Sequence, residues 1–115
     1  MLNILIVLLA GYLIGAIPSG YIIVKFTTGK DVTQVESGRT GGTNAFRAAG
    51  IGAGIATVVM DCLKGAAAVW AARWLAPDPF WLTIAAPLMA ILGHNYSIFL
   101  ISYSHEKGWH LRGGA

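Results

Sequence analysis

Apolar residues fall into three blocks along this chain, separated by polar stretches in which glycine and basic residues gather. Residues 1–24 carry no charged side chain, and residues from about 52 to 75 are apolar except for Asp61, Lys64 and Arg73. After the turn at 76–79, Ala-Pro-Asp-Pro, residues 80–104 contain no Asp, Glu, Lys or Arg, with Pro87 and Gly93-His94-Asn95 as points where a helix bends or ends. A helix crossing a bilayer needs about 20 apolar residues, because the hydrocarbon core is about 30 Å thick and each residue rises about 1.5 Å. The pattern therefore predicts three transmembrane helices, at about 2–24, 52–75 and 80–104, with Pro18 bending the first. The fold class it predicts is all-α: a polytopic integral membrane protein, with residues 1–115 forming a single membrane domain. The first block lacks a basic n-region and an Ala-x-Ala cleavage site, so it reads as a retained helix and not as a signal peptide.

Basic residues orient these helices. Lys25, Lys30, Arg39 and Arg47 lie between the first two blocks, Lys107 and Arg112 follow the third, and the turn at 76–79 has none. By the positive-inside rule the N-terminus faces outward, and both polar stretches, with the glycine-rich loop, are cytoplasmic. Arg73 runs against this count and is expected to snorkel to the interface. Asp61 and Lys64, three apart on one helix face, are costly in lipid unless they pair or face the bundle interior, which predicts a buried structural pair. Trp70, Trp74, Trp81 and Tyr96 read as interface anchors or packing residues.

Composition narrows the class further. Hydrophobic residues make up 56% of the chain and charged residues 11%, far from the roughly 25% charged of a water-soluble domain. The net charge of +3 is spread over few residues without a basic stripe, so nucleic acid is not an expected partner. The lone Cys62 provides no disulfide framework, no cofactor or metal is expected, and oligomeric state is not legible.

The first polar stretch, residues 37–47, reads Ser-Gly-Arg-Thr-Gly-Gly-Thr-Asn-Ala-Phe-Arg. Gly38, Gly41 and Gly42 permit backbone conformations in which successive N–H groups converge on an anion, and Ser37, Thr40, Thr43 and Asn44 add side-chain hydrogen bonds. Asn44 or Thr43 is positioned to cap a helix that starts at Ala-Phe-Arg, with its positive end and Arg47 facing the same anion. The alternative is a flexible glycine-rich connector whose arginines rest on lipid headgroups. Arg39 is expected to be solvated.

These residues resemble the first cytoplasmic motif of the PlsY-type acyl-phosphate:glycerol-3-phosphate acyltransferases of bacteria, Ser-Gly-x-x-Gly-x-Thr-Asn-x-x-Arg, through Ser37, Gly38, Gly41, Thr43, Asn44 and Arg47. Residues 17–21, Ile-Pro-Ser-Gly-Tyr, are similar to the family's Ile-Pro-x-Gly-Tyr. Asp61, Lys64 and Gly65 resemble its Asp-x-x-Lys-Gly, and Leu92-Gly93-His94-Asn95 followed by Phe99 its Leu-Gly-His. The family's second glycine motif, Lys-Gly-Gly-Lys-Gly, aligns with Arg112-Gly113-Gly114, which makes residues 105–111 an insertion; Lys107-Gly108 is the alternative alignment. The resemblance implies further membrane helices and another cytoplasmic motif, so residues 1–115 alone are expected to be inactive.

The resemblance further implies acyl transfer from acyl phosphate to the sn-1 hydroxyl of glycerol 3-phosphate, giving lysophosphatidic acid at the bacterial inner membrane. Both substrates carry phosphate, which suits a site of arginine, hydroxyls and glycine N–H groups, with membrane lipid as surroundings. An acyl phosphate is already activated, so positioning and charge stabilisation suffice. Ser37, Asn44 and Arg47 are the candidate catalytic residues, with Gly38, Gly41, Gly42 and Thr43 binding phosphate and Arg112, Gly113 and Gly114 cradling glycerol 3-phosphate. His94 is either a general base or an orienting residue at the end of the third helix, the second being preferred. The competing reading is a transporter or channel subunit with a re-entrant glycine loop.

Overall fold

A computed structural model describes residues 1–104 and 108–114; His105 at the start of the expected insertion, Lys107 and Ala115 lie outside the described residues. Among the described residues five α-helices and a hairpin follow one another: α1 Leu2–Ala16, α2 Ser19–Thr28, α3 Gly42–Ala49, α4 Ile51–Leu75, α5 Leu82–Asn95, β1 Ser97–Ser104 and β2 Gly108–Arg112. A single 3-10 turn, Val32–Gln34, interrupts the loop between α2 and α3.

Three expectations are corrected. The fold is mostly helical and not all-α, since the end of the third block pairs as an antiparallel hairpin with β2. The third helix stops at Asn95 and not at 104. Its 14 residues span about 21 Å, so among the described residues only Leu2–Thr28 and Ile51–Leu75 are long and apolar enough to cross a bilayer. The first block is two helices, because Pro18 supplies no N–H and the chain breaks at Ile17 before resuming at Ser19. In an unbroken helix the carbonyls of Ala16 and Ile17 would accept N–H groups from four residues on. Here Ser97 Oγ donates to Ala16 O at 2.5 Å and Lys64 Nζ donates to Ile17 O at 2.9 Å.

The bundle is packed on small residues. A Cβ at Gly11 would lie 2.6 Å from the carbonyl oxygen of Ala86, and one at Gly15 would overlap Ala90, so α1 and α5 touch backbone to backbone. Buried alanines Ala68, Ala72, Ala86 and Ala90 fill the core around Val7 and Leu82. The large apolar side chains point outward instead: Leu9 is 58% exposed, Leu88 59% and Trp74 84%. Small residues inside and large apolar residues outside is the packing of helices in lipid, where burying a leucine against protein gains little over leaving it in hydrocarbon.

Candidate functional site

Two glycine segments far apart in sequence meet at the end of the bundle near Ile51, a full α4 length of about 37 Å from the turn at 76–79. The first is the loop from 29 to 41. Asp31 Oδ1 accepts from the backbone N–H of Thr33 at 2.9 Å, starting the 3-10 turn whose Val32 is fully buried against Val24 and Ala45. Gly38, at φ 71°, takes the left-handed conformation that turns the chain back toward α3. Asn44 then gathers the loop: its amide nitrogen faces the carbonyls of Val32 at 3.1 Å, Val35 at 2.9 Å and Arg39 at 2.9 Å.

That arrangement corrects the expected cap. The helix begins at Gly42, so Thr43 and Asn44 lie inside its first turn, Gly41 is the N-cap, and no side chain caps it. Asn44 is 2% exposed, and its amide N–H groups are committed to the loop. The first-turn N–H groups of α3 have no intrahelical acceptor, which leaves backbone donors at the loop. Close approach of Gly42 to Val58 and of Gly54 to Phe46 seats α3 directly on α4.

The second segment is Arg112-Gly113-Gly114. Thr40 N–H donates to Gly113 O at 3.1 Å, Gly114 N–H donates to His94 O at 2.8 Å, and Arg112 Nη1 donates to Thr33 O at 2.8 Å. A Cβ on Gly113 would overlap the carbonyls of His94 and Asn95, and one on Gly114 would overlap the His94 ring. The structure thus brings Arg112-Gly113-Gly114, and not Gly108 at the far end of the hairpin, against the first loop.

Beneath it, Asp61, Lys64 and His94 form one cluster. Lys64, 8% exposed, pairs with Asp61 Oδ1 at 3.0 Å, and its Nζ lies 3.1 Å from His94 Nδ1. An ammonium group only donates, so Nδ1 accepts and the ring proton sits on Nε2. Nδ1 is thus occupied by Lys64, and the ring packs against Gly114.

Three depressions adjoin one another here. A cleft of about 340 Å³ is lined by Ser37, Gly38, Arg39, Tyr96, His110 and Arg112. A second, of about 290 Å³, is lined by Ser37, Arg39, Gly42, Thr43, Arg47 and Gly114, so Ser37 and Arg39 form the wall between the two. An apolar groove of about 420 Å³ between α3 and α4 shares Gly42 and Thr43 with the second cleft and is lined by Phe46, Ile51, Ile55 and Val58. Arg39, expected to be merely solvated, lines both polar clefts. Tyr96 and His110 were not singled out as site residues from sequence; the alternation of β2, which turns His110 and Arg112 to one face, is the signal that finds His110.

The family model described as Glycerol-3-phosphate acyltransferase matches residues 5–108. The chain is 44% identical over 93 residues to "Glycerol-3-phosphate acyltransferase 1" of Dehalococcoides mccartyi, covering 81% of this chain and 45% of that protein. It is 47% identical over 96 residues to "Glycerol-3-phosphate acyltransferase" of Geobacter metallireducens, covering 83% of this chain and 48% of that one. The crystal structure of PlsY (YgiH), an integral membrane glycerol 3-phosphate acyltransferase in its glycerol 3-phosphate form, superposes with a TM-score of 0.75 at 31% identity, over 96% of this chain and 50% of that one. The chain spans about half the length of the curated relatives it matches.

Proposed function

The chain belongs to the glycerol-3-phosphate acyltransferase family, and on that premise we propose that the whole protein transfers an acyl group from acyl phosphate to the sn-1 hydroxyl of glycerol 3-phosphate. The observation that carries the donor assignment is the order of the three depressions: polar cleft, polar cleft, apolar groove. Two phosphate-bearing substrates, one with a fatty chain, fit that order. Glycerol 3-phosphate takes the cleft beside Arg112 and Gly113. The acyl phosphate headgroup takes the cleft beside Arg47, with its chain along the groove and its carbonyl near the Ser37 and Arg39 wall.

In this arrangement the hydroxyl oxygen adds to the acyl carbon, and the bond from that carbon to the phosphate oxygen breaks. Phosphate leaves with the electron pair and takes the hydroxyl proton, so lysophosphatidic acid and inorganic phosphate form without a covalent enzyme intermediate. A side-chain base is not required, which accords with His94 Nδ1 being held by Lys64. Arg47, Arg39 and the loop N–H groups hold the charge that develops as phosphate departs. The transporter or channel reading is not retained, because the chain belongs to the glycerol-3-phosphate acyltransferase family.

The test supplies purified full-length protein in detergent with labelled glycerol 3-phosphate and either acyl phosphate or an acyl thioester. Lysophosphatidic acid formed from acyl phosphate alone is the expected result; turnover only with the thioester overturns the donor assignment. The groove makes its own prediction. Ile55→Trp, which fills it, is expected to cut kcat/KM for long-chain donors by roughly tenfold relative to short ones, since each buried methylene is worth about 0.8 kcal/mol. Ile84→Trp, on the exposed side of α5, is the control and is expected to leave the ratio unchanged.

We further propose that this end of the bundle is cytoplasmic and the N-terminus external. The basic residues Lys25, Lys30, Arg39 and Arg47 support that reading, as does the meeting of both glycine segments at one end. With Cys62 replaced by serine, Lys30→Cys and Asp78→Cys are expected to react with an impermeant maleimide from opposite sides of the membrane. Reaction of both from one side would reject this topology.

A further inference from the structure

The hairpin has two faces of opposite character. Ile101 stands opposite Leu111, while Ser102 stands opposite His110, and Trp109 alternates with His110 along β2. Directly opposed residues of an antiparallel pair share a face, so one face is apolar and aromatic and the other polar. The polar face is committed to the site: His110 and Arg112 line the larger cleft, and Arg112 holds Thr33 O at 2.8 Å. On the apolar face Leu111 borders the larger cleft, while Ile101, 54% exposed, and Trp109, 75% exposed, lie outside its lining.

We propose that this outer face of β1 and β2 lies in the headgroup layer of the bilayer, seating the clefts at the lipid surface. Continuity points to lipid as the occupant. The strand starts two residues after α5 ends, and Leu88 and Ile91 on α5 and Phe99 on β1 are each more than half exposed. Neither strand carries an acidic residue, so anionic headgroups meet no repulsion from them, and tryptophan favours the membrane interface. A two-stranded hairpin also has unpaired backbone groups on its edges, which the hydrocarbon core does not tolerate but the hydrated headgroup layer does. Such a seat places the donor cleft where an amphiphile arrives from the membrane.

The test uses full-length protein in which every tryptophan except Trp109 is replaced by phenylalanine, reconstituted in vesicles of phosphatidylethanolamine and phosphatidylglycerol. Lipids brominated near the top of the acyl chain are expected to quench Trp109 emission at least twofold, with aqueous iodide quenching little. Quenching by iodide alone places the face in water, and quenching by neither places it under the remainder of the protein; each overturns the proposal. If the tryptophan background fails to insert, a nitroxide on Ile101→Cys, with Cys62→Ser, gives an independent reading. Greater relaxation by oxygen than by a water-soluble nickel chelate is expected, and the reverse order overturns the lipid assignment.

Discussion

Gly113→Ala is expected to lower kcat/KM for acyl transfer by about a hundredfold while the protein still inserts and elutes as before. The added methyl has nowhere to go, because it would overlap the carbonyls of His94 and Asn95, which are backbone atoms at the end of α5. Overpacking of this kind costs about 1–3 kcal/mol. The strain is relieved only by moving the segment outward, which breaks the bond from Thr40 N–H to Gly113 O and that from Gly114 N–H to His94 O. Both clefts lose a wall, since Gly113 lines one and Gly114 the other. Gly65→Ala on α4 is the matched control: a Cβ there meets nothing within 4 Å, and alanine stabilises a helix by up to about 1 kcal/mol over glycine. If the two variants proved equally active in the full-length enzyme, the second glycine segment would not be part of the site.

What the sequence made legible follows from which signals are local. Residues 51–75 were read within one residue because a long apolar run between glycine and a proline turn has one good solution. The Asp61 and Lys64 pair was read from the cost of burying one charge without the other. The end of the third block was misread because freedom from charge says that a segment tolerates an apolar setting, and says nothing about helix or strand. The better signal there was period: serines at 97, 102 and 104 interleave with β-branched and aromatic residues, and Trp109 and Leu111 alternate with His110 and Arg112. The role of Asn44 was hidden for a different reason. A motif states residue type and spacing, but whether an amide faces a ligand or its own loop depends on where the chain folds back, and here three carbonyls converge on it. The Lys64 contacts to Ile17 and His94 are long-range, and no pattern within one helix announces them.

Arg47→Ala is expected to lower kcat/KM by roughly one to two decades, because a charge-assisted hydrogen bond is worth about 1.5–3 kcal/mol where it acts in the transition state. Its position gives the effect a signature. Arg47 projects from α3, which the close contacts of Gly42 and Gly54 hold on α4, and it lines only the cleft that opens to the apolar groove. The loss is therefore expected to follow the acyl phosphate concentration, with KM for glycerol 3-phosphate little changed. Arg39 lines both clefts from a loop, so Arg39→Ala is expected to raise both KM values by a smaller factor, about threefold to fivefold, because an exposed guanidinium carried on a loop is less firmly positioned than one on a packed helix. Arg47→Lys separates charge from geometry: an ammonium keeps the attraction but loses the two-pronged donor, and an intermediate rate is expected. Steady-state kinetics with each substrate varied in turn decides the matter. A rise confined to the glycerol 3-phosphate KM in Arg47→Ala would exchange the two clefts, and an unchanged rate in that variant would remove Arg47 from the site.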